Sequence, residues 1–196
     1  MDLADPVAVV LAIADCLREE AIPHALYGGL LLAAYGEARE TKDADVAVVH
    51  ADAQAVAAIL ERRLGLRTLP VFDRRPFGGV LLSRITLVEG EALNTLDLVE
   101  PADPDYARRA VDRAIDSTLR SRPIRALTPE DFVLFKLLSS RDRDLDDAIS
   151  VLRALGSELD RERIDEEVRT LEASLPDHPL SDRWRTARSR AGRASP

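Results

Sequence analysis

The sequence predicts an α+β fold, in which a small mixed sheet with flanking helices is followed by a bundle of helices. Up to about residue 127, short apolar runs typical of strands alternate with segments whose apolar residues recur at helical spacing. From Thr128 onward only helical patterns remain. A chain of 196 residues with 46% hydrophobic and 32% charged residues can bury a core and is typical of a globular protein. We therefore predict a core at 1–127, a helical domain at 128–180 and a basic tail at 181–196.

The first elements lead to a Gly-Gly pair and then to two aspartates. Asp5-Pro6 is typical of a helix start, and the helix is predicted to end near Glu20. A short strand at 24–27 precedes Gly28-Gly29, after which a helix is predicted as far as Tyr35. An apolar strand containing Asp43 and Asp45 follows.

The later elements are predicted from turn and capping signals. They are a helix from Asp52 to Gly65, strands at 66–72, 80–88 and 93–99, a helix at 104–116 and a strand at 124–127. A strand follows Gly78-Gly79, so this pair indicates a hairpin or loop and not a phosphate site. Thr128-Pro129-Glu130-Asp131 predicts a helix start, and further helices are predicted at 142–155 and 160–175. For the arginine-rich tail from Ser181, disorder is favoured over a short basic helix.

Composition excludes several classes of protein. With 27 basic and 35 acidic residues the formal charge is −8, which argues against a protein that coats nucleic acid nonspecifically. The N-terminus lacks a basic segment before its apolar residues and no apolar run is long enough to span a bilayer, so we expect a cytoplasmic protein without a membrane partner. The single cysteine, Cys16, excludes an internal disulfide and is interpreted as a small packing residue.

Three aspartates are the candidate metal ligands. Because side chains alternate along a strand, Asp43 and Asp45 point to the same face while their apolar neighbours point to the core. Asp97 lies between two leucines, which is unfavourable for a carboxylate unless it faces water, a cation or a donor. Carboxylates suit Mg²⁺ or Mn²⁺, so we predict that all three bind a divalent metal.

Gly28 and Gly29 are the candidate phosphate-binding residues. Glycines permit a tight turn and close approach of a ligand, and the N–H groups of a helix start attract phosphate. A phosphate site followed by a D-x-D strand predicts a site for a metal-bound nucleoside triphosphate (NTP).

The joint pattern resembles the nucleotidyltransferase superfamily, whose members share the catalytic core of DNA polymerase β. The matching residues are Gly28, Gly29, Arg39, Thr41, Asp43 and Asp45, with Asp97 as the third carboxylate. The resemblance implies that residues 1–127 form a nucleotidyltransferase core and that Arg39 and Thr41 help to bind the nucleotide. Leu30 departs from the pattern, because many relatives carry a hydroxyl residue there.

A second signature resembles the AbiEii-like toxins, which include the MenT-type nucleotidyltransferases. Its residues here are Pro129, Glu130, Asp131, Lys136, Arg143, Asp144 and Asp147. The resemblance implies that Lys136 meets the triphosphate and that Asp144 belongs to the catalytic set, although Asp142, Asp146 and Asp147 crowd it. It also implies a toxin of a type IV toxin-antitoxin system, with a possible cognate antitoxin.

The predicted activity is metal-dependent transfer of a nucleoside monophosphate (NMP) from an NTP to an acceptor hydroxyl. Asp97 is expected either to bind a second metal or to take the acceptor's proton. The toxin resemblance implies a tRNA end or a protein side chain as acceptor. The alternatives are an aminoglycoside or lincosamide nucleotidyltransferase, a catalytically idle protein that binds a nucleotide or a partner, and a helical interaction protein.

Overall fold

The computed structural model describes residues 1–192. Its helices are α1 (Pro6–Glu19), α2 (Gly28–Tyr35), α3 (Ala53–Leu64), α4 (Pro104–Asp112), α5 (Pro129–Leu138), α6 (Asp142–Leu155), α7 (Arg161–Ser174) and α8 (Leu180–Ala191). Its strands are β1 (His24–Leu26), β2 (Ala44–Val48), β3 (Arg67–Phe77), β4 (Val80–Glu89), β5 (Ala92–Pro101), β6 (Ile115–Leu119) and β7 (Arg122–Ala126). A short 3-10 turn, Gly156–Glu158, follows α6.

The seven strands form one mixed sheet in the order β3-β4-β5-β2-β1-β7-β6. Strands β2 and β5 are parallel, as are β1 and β7, and the other neighbours are antiparallel. The last four helices follow the sheet in the chain. This arrangement confirms the predicted α+β class.

The region between α4 and α5 differs from its prediction. The helix predicted to reach Asp116 ends at Asp112, and residues 115–119 instead form β6, paired with β7 in a hairpin. Strand β6 is mostly exposed and has no buried apolar alternation, so its sequence carries no strand signal. Strand β3 is also longer than predicted and extends to Phe77 through Pro76, which an edge strand tolerates.

The segment from Ser181 corrects the expectation of disorder. It lies within α8, whose Trp184 and Ala187 side chains are buried. The Trp184 indole N–H donates to Asp165 on α7 at 2.5 Å, which ties the two helices together. The remaining tail residues, 193–196, lie outside the described part of the chain.

The sheet and the helices that follow it share one hydrophobic core. The Tyr27 ring packs against Phe132 and Phe135 of α5, with ring centroids 5.4 and 5.3 Å apart. At the tip of the β3–β4 hairpin, Gly79 N–H donates to Leu138 O at 2.8 Å, and Gly78 forms a bridge with Ser139. Gly78-Gly79 therefore forms the turn of a hairpin, as predicted, and its main-chain contacts join the sheet to the end of α5.

None of the helices in residues 1–192 combines the length and the hydropathy that crossing a bilayer requires.

Candidate active site

The three predicted carboxylates lie together at one place on the sheet. Asp45 of β2 and Asp97 of β5 are register partners on adjacent parallel strands, so their side chains share a face. Asp43 immediately precedes β2. All three line a cavity of about 240 Å³.

The same cavity brings in residues from both halves of the chain. Its lining consists of Tyr27, Arg39, Thr41, Asp43, Asp45, Arg84, Asp97, Lys136, Arg141, Arg143 and Asp144. Thus Arg39 and Thr41 of the first signature, and Lys136 and Asp144 of the second, stand around the carboxylates. Strands β2 and β5 position the acids, while α5 and α6 position Lys136 and Asp144.

The Gly28-Gly29 pair is required by the side chains packed against it. Gly28 has φ +71°, and a Cβ built there would lie 2.0 Å from Asp45 Oδ2. A Cβ on Gly29 would lie 2.7 Å from Thr41 Cβ, and the Gly29 N–H donates to Asp45 Oδ2 at 3.3 Å. The start of α2 therefore binds and orients a site carboxylate. The role of these glycines in binding phosphate stays a prediction.

Asp45 carries a charge that its surroundings do not fully stabilise. Burial, and next the negative charge of Asp97, raise the pKa of Asp45 to about 6. Lys136 and the Gly29 N–H act in the opposite direction but do not cancel this rise. A cation placed between Asp45 and Asp97 would relieve their repulsion.

Asp97 has a partner that sequence reasoning missed. Arg84, its register partner on β4, donates from Nε and from a terminal nitrogen to the two carboxylate oxygens, each at 2.7 Å. Such bidentate pairs are strong and directional. An arginine inside the mostly apolar β4 was the available signal, but its partner depends on strand register, which the sequence does not specify.

Lys136 is held by two aspartates of α6. Its Nζ lies 2.7 Å from Asp144 Oδ1 and 2.8 Å from Asp147 Oδ2, and 5.1 Å from the centre of the Tyr27 ring. Burial favours the neutral amine, but the neighbouring Tyr27, Asp144 and Asp147 outweigh it and raise the pKa of Lys136. Although burial has the opposite effect, Lys136 and Arg141 lower the pKa of Asp144. Lys136 and Asp144 are therefore both charged at neutral pH.

The structure separates the four aspartates at the start of α6. Asp144 and Asp147 are buried and face Lys136, whereas Asp142 and Asp146 are exposed. Asp146 pairs with Arg190 of α8 at 2.8 Å. Asp147 also accepts two hydrogen bonds from Arg39, both at 3.4 Å. Sequence reasoning preferred Asp144 and left the other three open, although the spacing of three residues between Asp144 and Asp147 places both on one helix face.

The carboxylates suit a divalent cation, although the metal site is not fully formed. Within residues 1–192, no group of three or more His, Cys, Asp or Glu residues is arranged to hold a metal ion as it stands. Both oxygens of Asp97 accept hydrogen bonds from Arg84. Asp43 and Asp45 are hard oxygen donors, and the raised pKa of Asp45 indicates a charge that a cation would stabilise. Asp43 and Asp45 therefore fit Mg²⁺ or Mn²⁺, and Asp97 as a third ligand stays a prediction.

Comparison with known proteins identifies the fold. No protein-family model matches the sequence, and the search of curated proteins found no match. The antibiotic-resistance factor ANT(2'')-Ia is similar in structure, with a TM-score of 0.52 and 18% identity over 87% of this chain and 95% of that one. A candidate nucleotidyltransferase of H. pylori matches with a TM-score of 0.50 and 13% identity over 97% and 94% of the two chains. The Helicobacter pylori protein JHP933 also matches, with a TM-score of 0.50 and 14% identity over 97% and 91%. The chain therefore has the fold that these three structures share.

Proposed function

We propose that this protein is a metal-dependent nucleotidyltransferase, which transfers an NMP group from an NTP to an acceptor hydroxyl and releases pyrophosphate. The observation that carries the proposal is the meeting of Asp43, Asp45 and Asp97 in one cavity with five cationic side chains. Carboxylates beside arginines suit a metal-bound triphosphate, because the acids hold the cation and the arginines contact phosphate oxygens. The likeness in fold supports this reading.

Each group has a proposed role. Asp43 and Asp45 hold Mg²⁺ or Mn²⁺, which supplies positive charge at the triphosphate. Arg39 and Thr41, on the segment between α2 and β2, contact the nucleotide. Lys136 is already neutralised by Asp144 and Asp147, so it positions this wall of the cavity. The neighbouring Arg141 and Arg143 extend the cationic surface toward the phosphates.

The reaction forms one bond and breaks one. The acceptor oxygen attacks the α-phosphorus, and the bond from that phosphorus to the bridging oxygen breaks, so that pyrophosphate leaves with the electron pair. The acceptor's proton passes to Asp97. Arg84 must first release one oxygen of that carboxylate, because a carboxylate held at both oxygens is a poor base.

The toxin assignment and its partners stand as proposals. A tRNA end or a protein side chain as acceptor and a cognate antitoxin follow from the resemblance to AbiEii-like toxins. A cytoplasmic location is proposed as well. ANT(2'')-Ia is an antibiotic-resistance factor, so its likeness in fold supports the antibiotic nucleotidyltransferase alternative equally well.

Transfer of label from α-labelled NTPs tests the proposal. The protein is incubated with Mg²⁺, each NTP, and either total RNA or a panel of small hydroxyl-bearing acceptors, and pyrophosphate release is measured. Asp45→Asn and Asp43→Asn are expected to lower turnover by about a hundredfold or more, because each removes a metal ligand. Asp177→Asn is the matched control, since Asp177 is exposed and does not line the cavity. Equal turnover by Asp45→Asn and Asp177→Asn would refute the proposal.

A second candidate function is binding of a nucleotide or a partner without catalysis. The bidentate Arg84–Asp97 pair favours it, because it occupies the third carboxylate. Calorimetry with Mg-NTP separates the candidates. Heat of binding without pyrophosphate release from any acceptor supports the idle protein, whereas release supports the enzyme.

A further inference from the structure

A second cavity adjoins the candidate active site. It has a volume of about 670 Å³, within the range typical of small-molecule sites, and shares Thr41 and Asp43 with the catalytic cavity. Its lining consists of Leu3, Ala4, Pro6, Glu40, Thr41, Lys42, Asp43, Thr86, Leu93, Asn94 and Thr95. We call it the acceptor groove. Because Asp43 lines both cavities, a molecule in the groove lies beside the carboxylates that would hold the metal.

The groove is built where β5 begins beside the segment that enters β2. The parallel pairing of β2 with β5 begins at Ala44 and Leu96, so residues 40–43 run alongside residues 93–95. Thr95 and Asp97 are two residues apart on β5 and share a face. Thr86 is the register partner of Thr95 and lies on that face as well. A hydroxyl above the two threonines is therefore on the same side of the sheet as Asp97.

Asn94 connects two segments of main chain that line this groove. Its side-chain amide donates to Leu3 O at 2.7 Å and to Lys42 O at 3.0 Å, and these two bonds define the orientation of the amide. The remaining oxygen, Oδ1, is buried and accepts no hydrogen bond from the described residues. An unpaired buried oxygen is unfavourable. Because Oδ1 is buried, Asn94 shapes the groove by holding the main chain at Leu3 and Lys42 and does not itself meet a ligand.

The charge of the groove differs from that of the catalytic cavity. The catalytic cavity is lined by Arg39, Arg84, Lys136, Arg141 and Arg143, which suits a triphosphate. The described residues that line the groove include no arginine. They include one lysine, Lys42, whose Nζ lies 3.8 Å from Glu40 Oε1. Glu40 and Asp43 give the groove an acidic balance. An RNA acceptor needs several cations along its backbone, which the groove does not offer.

We propose, on the basis of the function proposed above, that the acceptor groove binds a small polyhydroxylated molecule that is neutral or carries amino groups. Thr86 and Thr95 exchange hydrogen bonds with its hydroxyls. Leu93, with 64% of its surface exposed, offers an apolar contact to a sugar-like ring. Glu40 attracts its amino groups. One of its hydroxyls attacks the α-phosphorus of the NTP. The hydroxyl proton passes to Asp97 and pyrophosphate leaves.

Two matched pairs of variants test the groove. Leu93→Trp narrows it, whereas Leu69→Trp makes the same change at a site 62% exposed that does not line it. Glu40→Lys reverses a charge in the groove, and Glu37→Lys reverses an exposed charge on the same segment outside it. For each, the measurements are the Kd of Mg-NTP by calorimetry and the KM of amino-sugar, neutral polyol and tRNA acceptors.

We expect Leu93→Trp to raise the KM of small acceptors about tenfold, with the Kd of Mg-NTP unchanged, because the NTP occupies the other cavity. Glu40→Lys is expected to raise the KM of amino-sugars about fivefold and to leave neutral polyols unaffected. Leu69→Trp and Glu37→Lys are expected to match the parent protein.

Transfer to tRNA that Leu93→Trp does not alter, with no transfer to any small acceptor, would overturn this inference and leave the proposed function standing. Failure of the parent protein to bind or turn over any Mg-NTP would instead overturn the proposed function, and this inference with it.

Discussion

The two charged clusters of the candidate site differ in how well their charges are balanced. In the cluster on α5 and α6, Lys136 meets both Asp144 and Asp147 within 2.8 Å, and Arg141 adds a bond to Asp144. In the cluster on the sheet, Asp45 and Asp97 lie side by side, and the pKa of Asp45 is raised to about 6. The helical cluster is complete without a ligand. The sheet cluster is where the protein would gain most from binding a cation.

The largest expected effect comes from removing the cation of the helical cluster. Lys136→Met leaves Asp144 and Asp147 buried without their main partner, and breaking such a buried pair costs about 3 to 5 kcal/mol of unfolding free energy. Denaturant unfolding measures this. The matched control is the chain's other lysine, since Lys42→Met changes a side chain that is 83% exposed. A loss below about 1 kcal/mol for Lys136→Met would contradict the view that this cluster is a structural unit.

The next effect tests how closely the backbone approaches the sheet cluster. Gly28→Ala places a Cβ 2.0 Å from Asp45 Oδ2 at φ +71°, so we expect a loss of about 2 to 3 kcal/mol from backbone strain and displacement of Asp45. Gly90→Ala has φ +61° with nothing within 4 Å of the new Cβ, and is expected to lose about 1 kcal/mol from strain alone. Equal losses in denaturant unfolding would show that Asp45 adapts freely.

The smallest effect depends on pH. The folded-state pKa of Asp45, about 6, lies above the usual value of 3.8, so folding favours the protonated acid, and stability falls as pH rises through this window. Asp45→Asn is therefore expected to gain about 1 to 2 kcal/mol above pH 6 and nothing below pH 4, after allowance for the partial exposure of Asp45.

Above pH 6, Mg²⁺ is expected to make the parent protein more stable than Asp45→Asn. It binds the Asp45 carboxylate of the parent, which the variant lacks. Thermal unfolding at several pH values, with and without Mg²⁺, measures both effects. An Asp45→Asn protein that is stabilised by Mg²⁺ as much as its parent would contradict the assignment of Asp45 as a ligand.

The sequence predicted those parts of the molecule that depend on local pattern. The Gly28-Gly29 turn, the strand of Asp45 and the helix start at Thr128 each carry their own signal within a few residues. The Arg84–Asp97 pair depends on the register between β4 and β5, which no local sequence pattern specifies. Strand β6 was missed because it lies at the sheet edge and buries little apolar surface. The tail was expected to be disordered because the buried face of α8 rests on a few residues around Trp184.

The bridge between Gly78 and Ser139 connects the two clusters through the main chain. Arg84 lies on the strand that leaves this hairpin tip, and the Ser139 hydroxyl donates to Asp144 Oδ2 at 2.5 Å. A Cβ on Gly78 would lie 2.8 Å from Leu138 O, so the two backbone segments are in close contact and leave no space for a side chain. A movement of β4 that separates Arg84 from Asp97 is therefore expected to displace the hairpin tip. Through the Gly78 bridge it would also displace Ser139, whose hydroxyl donates to Asp144.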